Sequence, residues 1–414
     1  MLDIKFIREN PDLVKEAVQR KHVKADIDRL IAIDEKRRAA IQEIDELRAS
    51  HKKSSDKLMT LMGEERENFS VRLKEEKNKL SNKEYDLRAI ESEFEELMLE
   101  VPNIPDPSVP DGVSDKDNQE IKSGGEKKSL KELGGRDYLQ ILKDGDMADF
   151  ERGVKVSGFR GYFLKNDGAR LSLAIWQFAL EFLQKKGFTP FIAPSIVRKE
   201  NMLGTGWFPQ SEEDVYKTQD NTYLSGTAEV AMMGYHRDET LREEELPKKY
   251  SAFSPCFRRE AGSYGKDQRG LFRVHEFYKI EQIVLCKASH QESVNIHEEL
   301  TANSEEMMRL LNIPYRVVVN CAGDLGLGQV KKYDIEGWIP SENKYRETHS
   351  SSYFHDFQTR RLGIKYKDSE GKTKFAHSLN NTAVATPRIL EAFLENNQKP
   401  GGSLDIPEVL KKYL

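Results

Sequence analysis

The sequence predicts an α+β protein in two parts: an N-terminal antiparallel two-helix coiled-coil arm, then a larger domain built on an antiparallel β-sheet flanked by helices. Three observations carry this. Residues 27–62 and 69–101 repeat apolar side chains every seven positions, the pattern of paired helices. The segment Val101–Pro110 holds four prolines in ten residues and opens a polar stretch that interrupts regular structure. From residue 130 to 414, helix-period and strand-period segments alternate, as where helices pack on a sheet. The domains read from this are 1–101, a linker at 102–129, and 130–414.

Composition agrees with an elongated part joined to a compact one. A chain of 414 residues has room for two or three domains at roughly 100–200 residues each. Its hydrophobic share, 37%, is low for a single compact body. No apolar run approaches the roughly 18–20 residues that span a bilayer, and Met1-Leu2-Asp3-Ile4-Lys5 lacks the basic-then-apolar pattern of a signal peptide. A soluble, cytoplasmic protein without a membrane partner is expected. Cys256, Cys286 and Cys321 show no C-x-x-C spacing, which argues against a disulfide framework or a cysteine-rich zinc site.

In the arm, Leu30, Ile44 and Leu58 share one heptad register, and Ile33, Ala40, Leu47 and Leu61 the register three residues on. Arg37, His51 and Ser54 interrupt the seam. The second run places Leu73, Leu80, Leu87, Phe94 and Val101 seven apart, with Ile90 and Leu97 at the other core position. Gly63 between the runs puts the expected turn at residues 62–69, and each arm extends roughly 50 Å. Charge divides unevenly along it. Residues 48–83 hold 10 Lys and Arg against 6 Asp and Glu, whereas 27–47 and 84–100 together hold 5 against 13. The net charge of the chain, −5, hides this basic tip. Such a run is either the solvated face of a coiled coil or a surface that meets a polyanion.

In the larger domain, Leu171, Ile175, Phe178 and Phe182 form a helical stripe ending at Gly187, and Phe188–Pro194 reads as extended chain. Residues Leu271 to Leu285 alternate over fifteen positions, a long strand suited to antiparallel pairing. Before it comes Cys256-Phe257-Arg258-Arg259-Glu260-Ala261-Gly262, continuing through Arg269-Gly270. Two strands joined by a loop with glycines and cations make a hairpin whose tip can approach phosphates, an arginine fork offering bidentate contacts. An ordinary charged surface hairpin has the same composition. His275, His349 and His377 are not spaced as metal ligands, and Cys256 reads as a small buried residue.

Phe257-Arg258-x-Glu260-Ala261-Gly262, Arg269-Gly270 and Arg273-Val274-His275-x-Phe277 together resemble motif 2 of class II aminoacyl-tRNA synthetases, in the form used by seryl-tRNA synthetases. Thr227-Ala228-Glu229, preceded by Gly204-Thr205-Gly206, resembles that family's serine-binding TxE motif. Tyr345-Arg346-Glu347 with Asp356-Phe357-Gln358-Thr359-Arg360-Arg361 resembles its YRE…DFQxRR strand, and Leu379–Arg388 its motif 3. The opening residues, hairpin and proline linker are similar to its tRNA-binding domain, so the likeness covers almost the whole chain. Asn381-Thr382-Ala383 departs from the Gly-Ser-Gly of many members but keeps a hydroxyl, and His349 replaces a usual serine.

The resemblance implies activation of L-serine with ATP to seryl-adenylate, then transfer to tRNA(Ser) and also tRNA(Sec). It implies Mg²⁺, a homodimer whose interface includes motif 1 at residues 187–198 with Pro194, and no DNA partner. Arg258, Glu260 and Arg388 would be catalytic. Serine would meet Thr227, Ala228, Glu229, Arg258, Glu281 and Thr382. ATP would meet Arg258, Arg259, Glu260, Val274, Phe277, Glu347, Thr348, His349, Ser350 and Arg388, and Mg²⁺ would sit on Glu347 and Ser350. Thr386 and Pro387 read as the N-cap and first residue of a helix that carries Arg388 toward the γ-phosphate. The arm would hold tRNA through Lys52, Lys53, Lys57, Arg72, Lys74 and Lys77. Two rivals remain: an amino-acid activating enzyme for a non-tRNA acceptor, and an inert tRNA-binding relative. The long arm argues against the first, and retention of Arg258, Glu260 and Arg388 against the second.

Overall fold

A computed structural model of the chain describes residues 1–261, 267 and 270–414. Gly262 and Arg269, both part of the expected motif 2, lie outside the described residues. The chain forms two compact units: Leu2–Gln19 with Val23–Pro102, and Met1, Arg20–His22 with Asn103–Leu414.

The first unit is helical, with α1 (Ile4–Glu9), α2 (Pro11–Arg20), α3 (Ile27–Leu58) and α4 (Gly63–Glu100). The Asp26 carboxylate caps α3 by accepting the Arg29 N–H at 2.9 Å. The seam lies where the heptads put it: Leu30, Ile33 and Ile44 are buried, and Leu73, Leu80, Leu87, Ile90, Phe94 and Leu97 are half-buried. Arg37, an expected interruption, lies over the Phe94 ring at 4.7 Å, so the seam accommodates it as a cation–π contact. Asp34, fully buried on α3, receives Arg8 at 2.9 Å, Arg38 at 3.1 Å and Arg37 at 3.4 Å. Arg48 to Glu84 (2.7 Å) and Lys83 to Glu43 (2.8 Å) tie the two long helices.

The turn is shorter than expected and earlier, at residues 59–62. Gly63 takes φ +61° and begins α4, and Glu64 and Glu65 in the first turn complement the helix dipole, so residues 64–69 continue the helix.

The second unit centres on an eight-stranded sheet. Its strands are β1 (Gln119–Gly124), β2 (Thr189–Ile192), β3 (Lys248–Phe257), β4 (Glu276–Cys286), β5 (Tyr315–Val319), β6 (Lys331–Ile339), β7 (Lys344–His355) and β8 (His377–Thr386). Their order is β1-β5-β6-β7-β8-β4-β3-β2, antiparallel throughout except for the edge pair β2–β3. The helices that position the site are α5 (Asn166–Lys185), α6 (Lys199–Thr205), α7 (Ala228–Tyr235), α8 (His290–Leu310), α9 (Phe357–Leu362) and α10 (Arg388–Asn396). The main core joins Leu171, Ile175 and Leu183 of α5 to Ile280 and Val284 of β4 and to Leu300, Met307 and Met308 of α8. Among the described residues no helix is long and apolar enough to cross a membrane.

Three further expectations are corrected. The expected linker contains β1, and Asn103 and Asp106 donate their backbone N–H to Leu327 and Val330 (both 2.9 Å), so the proline segment packs on the sheet unit. The strand expected from Leu271 starts only at Glu276. Before it, the Leu271 N–H goes to the Tyr138 hydroxyl and the Phe272 carbonyl to Arg388, which takes both out of a ladder. Asp356–Arg361, expected as strand, runs into α9, ended by Gly363 at φ +67°.

Glu391 on α10 is 1% exposed, and its Oε2 has no hydrogen-bond partner among the described residues. Burial, reinforced by Glu342 and Glu395, pushes its pKa up to about 8. Folded Glu391 therefore holds its proton more tightly than the unfolded chain does. Its contribution is complete at and below the ordinary carboxylate range and is lost as pH rises through about 8. Glu391→Gln is expected to remove that loss, worth on the order of a few kcal/mol, so the variant melts several degrees above the parent at pH 8.5 and near it at pH 5. Parallel melting curves across that range would contradict the assignment.

Candidate active site

One cleft of about 320 Å³ gathers most of the expected site residues. Arg258, Glu260, Val274, Phe277, Thr227, Glu229, Glu281, Thr382, Glu347, Thr348, His349, Ser350 and Arg388 all line it. Ala228 and Arg259 do not. Ala228 is the buried first residue of α7, and Arg259 turns away to donate to the Glu213 carbonyl at 3.0 Å.

Two bulges make the convergence possible. In the β4–β8 ladder the register shifts at Ala383, so that Glu281 pairs directly with Thr382. In the β6–β7 ladder it shifts at Thr348, so that Glu336 faces Glu347 and Ile335 faces His349. A regular strand sends neighbouring side chains to opposite faces; the second bulge lets Glu347, Thr348 and His349 line one cleft in succession. Asn381, between Asn380 and Thr382, faces the other way and donates to the Leu300 carbonyl of α8 at 2.6 Å. An amide fits at this position because it points away from the cleft, toward α8.

Thr227 caps α7 and stands at the centre of the polar floor. Its hydroxyl accepts from the Glu229 N–H (3.2 Å) and from Lys279 Nζ (2.8 Å) and donates to Glu281 (3.3 Å), while Lys279 and Glu281 form a buried ion pair. Burial pushes the Glu229 carboxyl up to about 7, against the hydrogen bond from Gln358 at 2.6 Å.

At the other end, Arg258 lies 5.3 Å from the Phe277 ring and 5.8 Å from Trp207, and its buried Nε has no partner among the described residues. Glu260 accepts from Arg273 at 2.6 Å. Arg388 and Arg346 lie over Phe272 at 4.6 and 3.6 Å. Arg388 stands at the start of α10, but the start lies one residue later than expected: Pro387, not Thr386, is the cap, and Arg388, not Pro387, is the first helical residue. Thr386 closes β8, where its hydroxyl accepts from the Trp176 indole (2.9 Å) and donates to the Tyr278 carbonyl (3.2 Å).

Glu347 is exposed in the cleft, 3.4 Å from Arg388. Desolvation raises its pKa, but Arg388, Lys332 and Arg258 outweigh this and hold the carboxyl below its ordinary value. Its carboxylate and the Ser350 hydroxyl are hard oxygen donors of the kind Mg²⁺ takes, with room left for substrate phosphates and water. His349 is buried and joins β7 to β8 through the Ala383 carbonyl at 2.9 Å; burial lowers its pKa to about 4, so the ring is neutral. His275 and His377 bond elsewhere, to the Arg258 carbonyl and the Ser293 hydroxyl (both 2.9 Å). Among the described residues no His, Cys, Asp and Glu side chains cluster as a metal site of three or more. All three cysteines are buried and unbridged, and burial raises the Cys256 thiol, which suits a structural residue.

Several lining residues carry no signal in the motifs, namely Trp207, Phe272, Lys279 and the 326–329 wall, and Asn380, inside the motif 3 segment, is not singled out by it. Lys279 shares a strand face with Glu281, so alternation places it there once Glu281 is singled out. The wall at 326–329 is held by Lys21, whose Nζ donates to Gly326 (3.1 Å), Leu327 (3.0 Å) and Gln329 (2.6 Å), a contact 305 residues or more away in sequence.

An antiparallel sheet with this arrangement of arginines and carboxylates defines a class II aminoacyl-tRNA synthetase core. Residues 213–397 match the tRNA synthetase class II core domain (G, H, P, S and T), and residues 1–105 match the seryl-tRNA synthetase N-terminal domain. A serine–tRNA ligase from Deinococcus radiodurans is 45% identical, covering 100% of this chain and 97% of the relative. The crystal structure of seryl-tRNA synthetase from Pyrococcus horikoshii complexed with ATP has a TM-score of 0.90 at 38% identity, over 100% of this chain and 98% of that one. The cytoplasmic serine–tRNA ligase of Naegleria fowleri, in complex with AMP, has a TM-score of 0.87 at 34% identity, over 100% and 97%. The chain belongs to the seryl-tRNA synthetase family.

Proposed function

We propose that this cleft carries out the serine–tRNA ligase reaction of the family in two steps. A serine carboxylate oxygen bonds to the α-phosphorus of ATP as pyrophosphate leaves; a terminal hydroxyl of tRNA(Ser) then takes the acyl group and AMP departs. The observation that carries the choice of serine is the direct pairing of Glu281 with Thr382 beside Thr227 and Glu229. Glu229 and the Thr227 hydroxyl suit an ammonium group, and Glu281 and Thr382 suit a hydroxyl. A site whose buried polar groups need that hydroxyl rejects alanine strongly.

Arg258 meets the substrate carboxylate and α-phosphate, Glu260 orients the adenylate, and Phe277 offers the adenine a stacking face. Arg388, at a helix start and beside Glu347, takes the γ-phosphate. Glu347 and Ser350 would hold Mg²⁺, which would supply positive charge against the phosphates. The test is ATP–pyrophosphate exchange with serine, threonine, alanine and glycine. Serine is expected to support exchange at least about 10³-fold better than alanine, and no exchange with any of the four would favour an inert relative.

The exposed arm lysines support tRNA(Ser) as the acceptor, with tRNA(Sec) included in the same reading and checked by charging each transcript. A homodimer is supported by Ile192 and Ile196, which flank Pro194 and are 86% and 58% exposed. Ile192→Asp is expected to shift sedimentation at micromolar protein from dimer to monomer; an unchanged sedimentation coefficient would place the interface elsewhere.

A further inference from the structure

Gln358, on the first turn of α9, lies behind the cleft and does not line it. It is 1% exposed, and every polar atom of its side chain is engaged. Its Nε2 donates to Glu229 Oε1 at 2.6 Å and to the Thr205 carbonyl of α6 at 3.2 Å, and its Oε1 accepts from the Ser378 hydroxyl of β8 at 2.7 Å. Turning the amide over would set its oxygen against both the carboxylate and a carbonyl, so Ser378 and Thr205 fix which end faces Glu229. One neutral side chain thus joins α6, α7, α9 and β8 behind the carboxylate.

We propose that Gln358 is a positioning residue for serine recognition: it orients Glu229 and holds it in the charged form that captures the substrate ammonium group. This rests on the reading of Glu229 as the ammonium partner. The groups that bear on Glu229 are few. Lys279 and Glu281 of β4 act on it with opposite sign, and Asn380 of β8 gives a second amide hydrogen bond. Arg258 shares the cleft, and Arg361 of α9 turns away to the Leu203 carbonyl at 2.9 Å. Because burial already brings the Glu229 pKa to about 7, a lost donor moves its ionisation across neutral pH.

The test is the KM for serine in pyrophosphate exchange from pH 6 to 8.5, for the parent, Gln358→Met and Ser378→Ala. Gln358→Met keeps the side-chain volume and removes the donor. It is expected to raise the KM for serine about fivefold at pH 7 and more toward pH 6, with the rise shrinking toward pH 8.5, the profile being displaced upward by about one pH unit. The KM for ATP and kcat at saturating serine should stay within about twofold of the parent. Ser378→Ala, which removes one of the two contacts that fix the amide's orientation, should move the profile the same way by a smaller amount, and it decides the matter alone if Gln358→Met does not fold. A serine KM raised equally at every pH, or not raised, overturns the proposal while leaving the Glu229 reading standing. Absence of serine-dependent exchange in the parent would remove both.

Discussion

Arg258→Met is expected to lower kcat/KM for serine-dependent pyrophosphate exchange by roughly 10²–10³-fold, the cost of deleting a pre-placed charge at a developing anion. The cleft holds Glu229, Glu260, Glu281 and Glu347, and a triphosphate entering it needs cations already in position. Arg258 is fixed by its place at the end of β3, where its N–H donates to the His275 carbonyl at 3.0 Å. The rings of Trp207 and Phe277 flank the guanidinium at 5.8 and 5.3 Å, and its buried Nε has no partner among the described residues. Gly226 permits this approach, since a Cβ there would meet the Arg258 side chain at 3.3 Å. Among the described residues Arg258 makes one weak side-chain bond, to the Gly226 carbonyl at 3.4 Å, so the variant should melt within a few degrees of the parent. A loss below tenfold would show that Arg273 or Arg388 carries the charge instead.

Replacing Lys52, Lys53, Lys74 and Lys77 together by glutamate is expected to raise the KM for tRNA on the order of 10²-fold and leave pyrophosphate exchange unchanged. All four are exposed on the distal parts of α3 and α4, where the seam buries few side chains, so the substitutions cost little folding energy. If they meet phosphates, the slope of log affinity against log salt should fall by about three. Equal loss of exchange and aminoacylation would sink the arm assignment, and an unchanged salt slope would move the phosphate contacts elsewhere on the chain.

Much of the fold was legible in the sequence because its signals are local. The heptads located both long helices, and alternation located β4, though each misjudged an end. The turn came early because Gly63 with two following glutamates starts a helix, and β4 began late because side chains divert residues 271–275. The site was legible as residue types in ordered motifs, but motifs do not state which neighbour turns away. Arg258 and Arg259 are adjacent, and only the first enters the cleft.

Sequence alone determined the two long helices, the alternation of β4 and the basic tip of the arm, since these follow from periodicity and charge, while the groups expected to meet serine and ATP came from the resemblance of its motifs to the family. Only the tertiary structure decided the two bulges, the Lys21-held wall and the Gln358 clamp behind Glu229. Each depends on ladder register or on partners more than 100 residues apart, and no local pattern of the chain encodes such a pairing.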